Sequence, residues 1–132
     1  MLNQLPALVT LLTLLLLLGT LWLVGRARTK YGIHAPAIGG HPAFERAWRV
    51  QMNTLESTLM FIPALWLAAQ YADPVWAGIA GLVWLLARVW YAAAYARDAA
   101  RRGPAFILGM VAWAVLMGMA SIGVIRAMIQ SA

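Results

Sequence analysis

Leu5–Val24 reads LPALVTLLTLLLLLGTLWLV, a run without a single charge. As a helix at about 1.5 Å per residue it would cover ~30 Å, the thickness of a bilayer's hydrocarbon core. No Lys or Arg precedes it and no small-residue cleavage pattern follows, so it is expected to persist as a membrane helix and not as a removable leader. Three further runs lie downstream: Phe44 to Tyr71, broken sharply at Asp73 and Pro74; Val75 to about Arg97; and, beyond Arg101, Arg102, Gly103 and Pro104, Ala105 to Ile129. The expected helices are 5–25, 44–72, 75–98 and 104–129, with Pro104 in the first turn of the last, where its missing donor costs nothing. Four spans of ~20 residues and three connections account for the chain. The fold class is therefore all-α, an integral membrane four-helix bundle forming one domain over residues 1–132.

Composition agrees and excludes. The chain is 64% hydrophobic and carries ten Lys and Arg against four Asp and Glu, too few charges for a water-soluble globule of 132 residues. The net charge of +6 sits between the apolar runs, which points to topology and away from nucleic acid. Arg26, Arg28, Lys30, Arg46 and Arg49 flank the first connection, Arg97, Arg101 and Arg102 the third, and only Asp73 the second. The positive-inside rule puts loops 1 and 3 in the cytoplasm and both termini opposite, with Arg126 as the one dissenting charge. The glycine- and proline-rich segment Tyr31–Pro42 contains both histidines, His34 and His41, and reads as an exposed loop, with no further ligands nearby to make a metal site. There is no cysteine, so any thiol chemistry must use a thiol brought in by a ligand.

Polar residues interrupt the second and third runs with helical spacing. Arg49, Asn53 and Glu56 recur at i, i+4 and i+7, with Gln51 on a neighbouring face; Arg88, Tyr91, Tyr95 and Arg102 form a second stripe. Glu56 lies ~18 Å in from Phe44 and Arg88 ~21 Å in from Arg102, so the two charges share a depth. An unpaired charge there costs roughly 2.5–3.5 kcal/mol, which predicts that Glu56 and Arg88 pair, inside the bundle or across a subunit contact. The pair could equally lock helices or belong to a ligand shell. The remaining stripe residues supply donors in excess of acceptors and converge near the cytoplasmic mouth, so the site wants an anion. Guanidinium groups match carboxylates, Asn53 and the tyrosines can bond a peptide backbone, and Glu56 can receive an ammonium. A zwitterionic peptide with two carboxylates, such as glutathione, meets all of these demands.

FERAWRVQMNTLESTLMFIPALWLAA, Phe44–Ala69, and RVWYAAAYARDAARR, Arg88–Arg102, resemble the signatures of the MAPEG family, membrane-associated proteins of eicosanoid and glutathione metabolism. The similarity is strongest to its bacterial and microsomal glutathione transferases and to its leukotriene-forming branch. It implies a homotrimer of four-helix protomers with glutathione as co-substrate bound between subunits near the cytoplasmic side; no metal is expected, and the expected location is a bacterial inner membrane. Carried over residue by residue, Arg49, Gln51, Asn53, Glu56, Tyr91 and Tyr95 would contact glutathione, and Arg28 would reach it from the adjacent protomer. Arg102 would stabilise the thiolate, although a one-residue slip would pass that role to Arg101. Ser57 stands where the leukotriene-forming branch has a tyrosine. The expected activity is conjugation of glutathione to lipophilic electrophiles from the membrane lipid, or reduction of lipid hydroperoxides. The alternatives are a non-catalytic lipid- or glutathione-binding protein of the same fold, and a small transporter subunit.

Overall fold

A computed structural model describes residues 1–132. Four α-helices follow one another: α1 (Leu5–Tyr31), α2 (Pro42–Tyr71), α3 (Pro74–Arg97) and α4 (Gly103–Ser131), with short 3-10 turns at Leu2–Gln4 and Ala99–Arg102. Each boundary has a local cause. α1 continues through Arg26–Lys30 and stops at Gly32, which takes a left-handed conformation with φ 65°. Its extension beyond residue 25 corrects the expected end, because charged residues leave the membrane without leaving the helix. The His41 imidazole Nδ1 accepts from the Ala43 N–H at 3.1 Å and caps α2, whose first residue is Pro42. Asp73 caps α3 by accepting from the N–H groups of Val75 and Trp76, both at 2.9 Å.

The helices run up, down, up and down. Leu5 at the start of α1 abuts Gly78 at the start of α3, while Tyr71 at the end of α2 abuts Gly123 near the end of α4. At the opposite end, Tyr31 stacks on His41 with ring centroids 3.8 Å apart, and Arg46 Nε donates to the Ala96 carbonyl at 3.4 Å. The main core joins all four helices through Val9, Phe61, Leu65, Trp84 and Leu116, with alanines at 64, 68, 77, 112 and 120 between them. Phe61 and Trp84 stack at 3.7 Å with planes 5° apart. Small residues let helix backbones approach closely where no hydrophobic force drives them together in lipid.

α1, α3 and α4, with their short 3-10 extensions, are long and apolar enough to cross a membrane. α2 is as long as any, at 30 residues, but is the polar helix, with Glu45, Arg46, Arg49, Gln51, Asn53 and Glu56 filling its first half. Apolarity alone thus marks three spans where four were expected. Most leucines of α1 point outward, Leu11, Leu15 and Leu18 among them, as suits a surface meeting hydrocarbon, while Leu12 and Leu16 pack against the core.

The glycine at 78 is a packing requirement, since a Cβ there would press into Leu5. Gly78→Leu is expected to lower stability by about 1–3 kcal/mol. Gly118→Leu, at a position facing open space, should leave the thermal unfolding midpoint in detergent near that of the parent protein.

Candidate functional site

The two polar stripes meet. Where α2, α3 and the start of α4 come together, Arg49, Asn53, Tyr91, Tyr95 and Arg102 line an open cleft of about 630 Å³ with Gly103 and Phe106. Helical spacing accounts for the first four, because i, i+4 places Arg49 above Asn53 and Tyr91 above Tyr95. Arg102 reaches the cleft from the 3-10 turn at Ala99–Arg102, which Asp98 begins by accepting from the Ala100 N–H at 3.0 Å. Asn53 Nδ2 donates to the Tyr91 hydroxyl at 2.9 Å, and the Arg102 guanidinium stands 5.2 Å from the centre of the Tyr95 ring. The tyrosine rings are themselves 5.7 Å apart.

No carboxylate lines this cleft. Arg49 and Arg102 are exposed and hold no salt bridge, so two guanidinium groups, an amide and two phenols face one space with positive charge in surplus. Such a set has the chemistry to receive an anion, and an arginine beside a thiol favours its ionised form. Arg101 points elsewhere and lies 4.0 Å from the Asp98 carboxylate. The neighbouring arginines thus occupy different surroundings, and Arg102 is the one in the cleft.

Glu56 and Arg88 do not pair within the chain, which corrects the bundle-internal form of that expectation. Glu56 is exposed, whereas Arg88 is 3% exposed and donates through Nη2 to the Thr54 hydroxyl at 3.2 Å. The Arg88 guanidinium also lies 4.1 Å from the centre of the Tyr91 ring, and its Nε has no partner. Thr54 was not singled out by the sequence reading. The signal available was the need of a mid-helix arginine for an acceptor, which a hydroxyl at the same depth satisfies.

Gln51 and Arg28 lie outside the cleft as well. Gln51 has a buried Oε1 with no hydrogen-bond partner. Arg28 secures the first connection, donating through Nη1 to the carbonyls of Ala37 at 2.8 Å and Ile33 at 3.4 Å, and packing 4.9 Å from the centre of the Phe44 ring.

Compared with known proteins, residues 6–122 match the model of the MAPEG family. The chain belongs to this family. Among MAPEG-related sequences, an uncharacterized protein of Synechocystis sp. is 48% identical over 112 residues, covering 85% of this chain and 82% of its own. Microsomal glutathione S-transferase 2 of Bos taurus is 37% identical over 103 residues, 78% of this chain and 70% of its own. Leukotriene C4 synthase of Cavia porcellus is 35% identical over 101 residues, 76% and 67% respectively.

In this MAPEG chain Thr54 is the sole hydrogen-bond acceptor of Arg88. Thr54→Val keeps the shape and removes the oxygen, leaving a buried charged donor unmatched. It is expected to cost about 1–3 kcal/mol in thermal unfolding of the detergent-solubilised protein. Thr54→Ser, which retains the hydroxyl, should stay near the parent value.

Proposed function

We propose that this MAPEG protein is a membrane-bound glutathione transferase that ionises the glutathione thiol and adds it to lipophilic electrophiles. The observation that carries this reading is the cleft in which Arg49, Asn53, Tyr91, Tyr95 and Arg102 converge with no carboxylate among them. Arg49 offers a planar fork for a glutathione carboxylate. Asn53 and the two tyrosines offer hydrogen bonds to the peptide backbone. Arg102 stabilises the sulfur as thiolate by its positive charge, and the thiol proton is lost to water. The thiolate then forms a carbon–sulfur bond with an electrophile dissolved in the bilayer, and a leaving group such as halide departs with its electron pair. Attack on the terminal oxygen of a lipid hydroperoxide would break its O–O bond, release the lipid alcohol and leave glutathione sulfenic acid, which a second glutathione converts to the disulfide and water, giving peroxidase activity from the same site. The chain has no cysteine, and none is required, because the nucleophile arrives with the substrate.

The reading includes a homotrimer, with one cleft at each contact between copies. Arg28, Gln51 and Glu56 lie outside the single-chain cleft, and all three acquire a use if a neighbouring copy completes it. Arg28 spends only Nη1 on loop carbonyls, so Nη2 is free to reach a ligand bound by the adjacent chain. A carboxylate from Glu56 of a second copy is the remaining way in which Glu56 and Arg88 could pair. α2 is read as the fourth span, since α1 and α3 run the same way and a chain in which both cross must return between them. Its polar stripe is then shielded from lipid by the subunit contact. Loops 1 and 3 face the cytoplasm of a bacterial inner membrane, and the whole chain acts as one membrane unit.

The test is thiolate absorbance on adding glutathione to the purified protein, followed by conjugation to a generic aryl halide. Arg102→Ala is expected to abolish the thiolate signal and lower turnover ~100-fold while weakening glutathione binding far less, as befits a group that stabilises developing charge. Arg101→Ala should leave both near the parent values. A parent protein with neither thiolate signal nor turnover would overturn the reading in favour of a non-catalytic binding protein.

A further inference from the structure

A second groove opens on a different face of α2, where the last turns of α1, the first turns of α2 and the end of α3 diverge. It has a volume of about 410 Å³ and shares none of the residues of the cleft already described. The cause is side-chain size: Ala27, Ala43, Ala47, Ala92 and Ala96 meet there, and no larger residue fills the space between the backbones. Along α1 the groove extends from Tyr31 to Thr20, roughly 16 Å of helix directed toward the middle of the bundle.

Two cations stand at its outer end. Arg26 and Lys30 are one helical turn apart on α1, both exposed, and no carboxylate is among the residues that line the groove. Arg26 stands 5.3 Å from the centre of the Trp22 ring, and Lys30 Nζ 5.4 Å from that of Tyr31. Like charges at this spacing repel, and neither cation holds a salt bridge. Arginine, lysine and aromatic rings together at the end of a membrane helix mark the level of the lipid headgroups. The feature is thus amphipathic along its length, with cations at headgroup level and apolar walls running inward from them.

We propose that this groove is a binding site for one anionic phospholipid, its phosphate between Arg26 and Lys30 and one acyl chain lying along Leu23 and Thr20 against the alanine floor. A soluble anion would satisfy the two cations and leave the apolar walls unfilled. A zwitterionic lipid would fill the walls, but its own headgroup cation would oppose the two on α1. Only a lipid of net negative charge meets both halves, and basic pockets between membrane helices take such headgroups. The site is independent of the transferase reading, since no residue is shared with the cleft.

Native mass spectrometry of the delipidated full chain in detergent tests it, with stepwise addition of phosphatidylglycerol or phosphatidylcholine of matched acyl chains. The expected result is phosphatidylglycerol saturating at one lipid per chain, at concentrations ~10-fold below those needed for phosphatidylcholine. The double variant Arg26→Gln with Lys30→Gln should lose that preference. Ala92→Leu, which fills the groove and keeps both charges, should weaken phosphatidylglycerol binding too. Arg126→Gln, which removes one charge at the far end of α4, should change nothing. The proposal is overturned if the double variant keeps the preference, if Arg126→Gln loses it, or if inorganic phosphate displaces the lipid. It is also overturned if Ala92→Leu alters the number of chains per complex while lipid binding is unchanged, because a second copy would then cover the groove.

Discussion

A guanidinium enclosed between membrane helices is the constraint on which the site is built. Arg88 is almost fully buried in α3, and two contacts make this tolerable: the Thr54 hydroxyl of α2 accepts from Nη2, and the Tyr91 ring lies 4.1 Å from the charge. A cation over an aromatic face gains more when both are desolvated. Tyr91 then carries the effect outward, because its hydroxyl accepts from Asn53 at the cleft. Contact therefore runs without a gap from the buried arginine, through a tyrosine, to an amide that faces the ligand space. α2 and α3 are joined by an aromatic stack at the level of Phe61 and Trp84 and by polar contacts at the level of Arg88.

The order and direction of the helices were legible because turn chemistry is local. Asp73 with Pro74, and Pro104 at the head of α4, stop and start helices by themselves. The end of α1 was misplaced for a physical reason: hydrophobicity reports where a helix leaves the membrane, whereas Gly32 and its left-handed backbone report where it stops. The site divides in the same way. Two stripes of helical period placed Arg49 with Asn53 and Tyr91 with Tyr95, and they do converge. Pairing Glu56 with Arg88 used depth alone, one of the two coordinates on a helix surface. Thr54 and Glu56 differ by two residues, roughly 200° around the axis, so they share a depth and face opposite ways. Only packing decided that Thr54 meets α3.

Membrane packing also inverts a familiar guide to burial. On α1, Leu14, Leu15 and Leu18 are more than half exposed, while Thr13 and Thr20 are buried. Hydrocarbon outside is as apolar as the core within, so leucine gains little by turning inward. Threonine is small, and its hydroxyl can be satisfied by its own helix: Thr13 donates to the Val9 carbonyl and Thr20 to that of Leu17, both at 2.8 Å. The helix faces that touch are therefore marked by modest residues, and a search for the most hydrophobic stripe on α1 would select the wrong side.

The same economy shapes the bundle from end to end. Near the chain termini, Gly78 against Leu5, Gly81 against Leu65 and Gly123 against Tyr71 draw the helices into close contact. Toward loops 1 and 3 the glycines of α3 give way to Ala92, Ala94 and Ala96 with Tyr91 and Tyr95 between them, and α1, α2 and α4 separate enough to leave two openings. Charged residues are cheapest at that end, within reach of water and headgroups, and the openings give them space to act. One end of the bundle is closed by backbone proximity and serves as the support; the other is held apart and presents the arginines. A cleft built from two helices requires both, because a loosely packed support would let the stripes of α2 and α3 drift out of register.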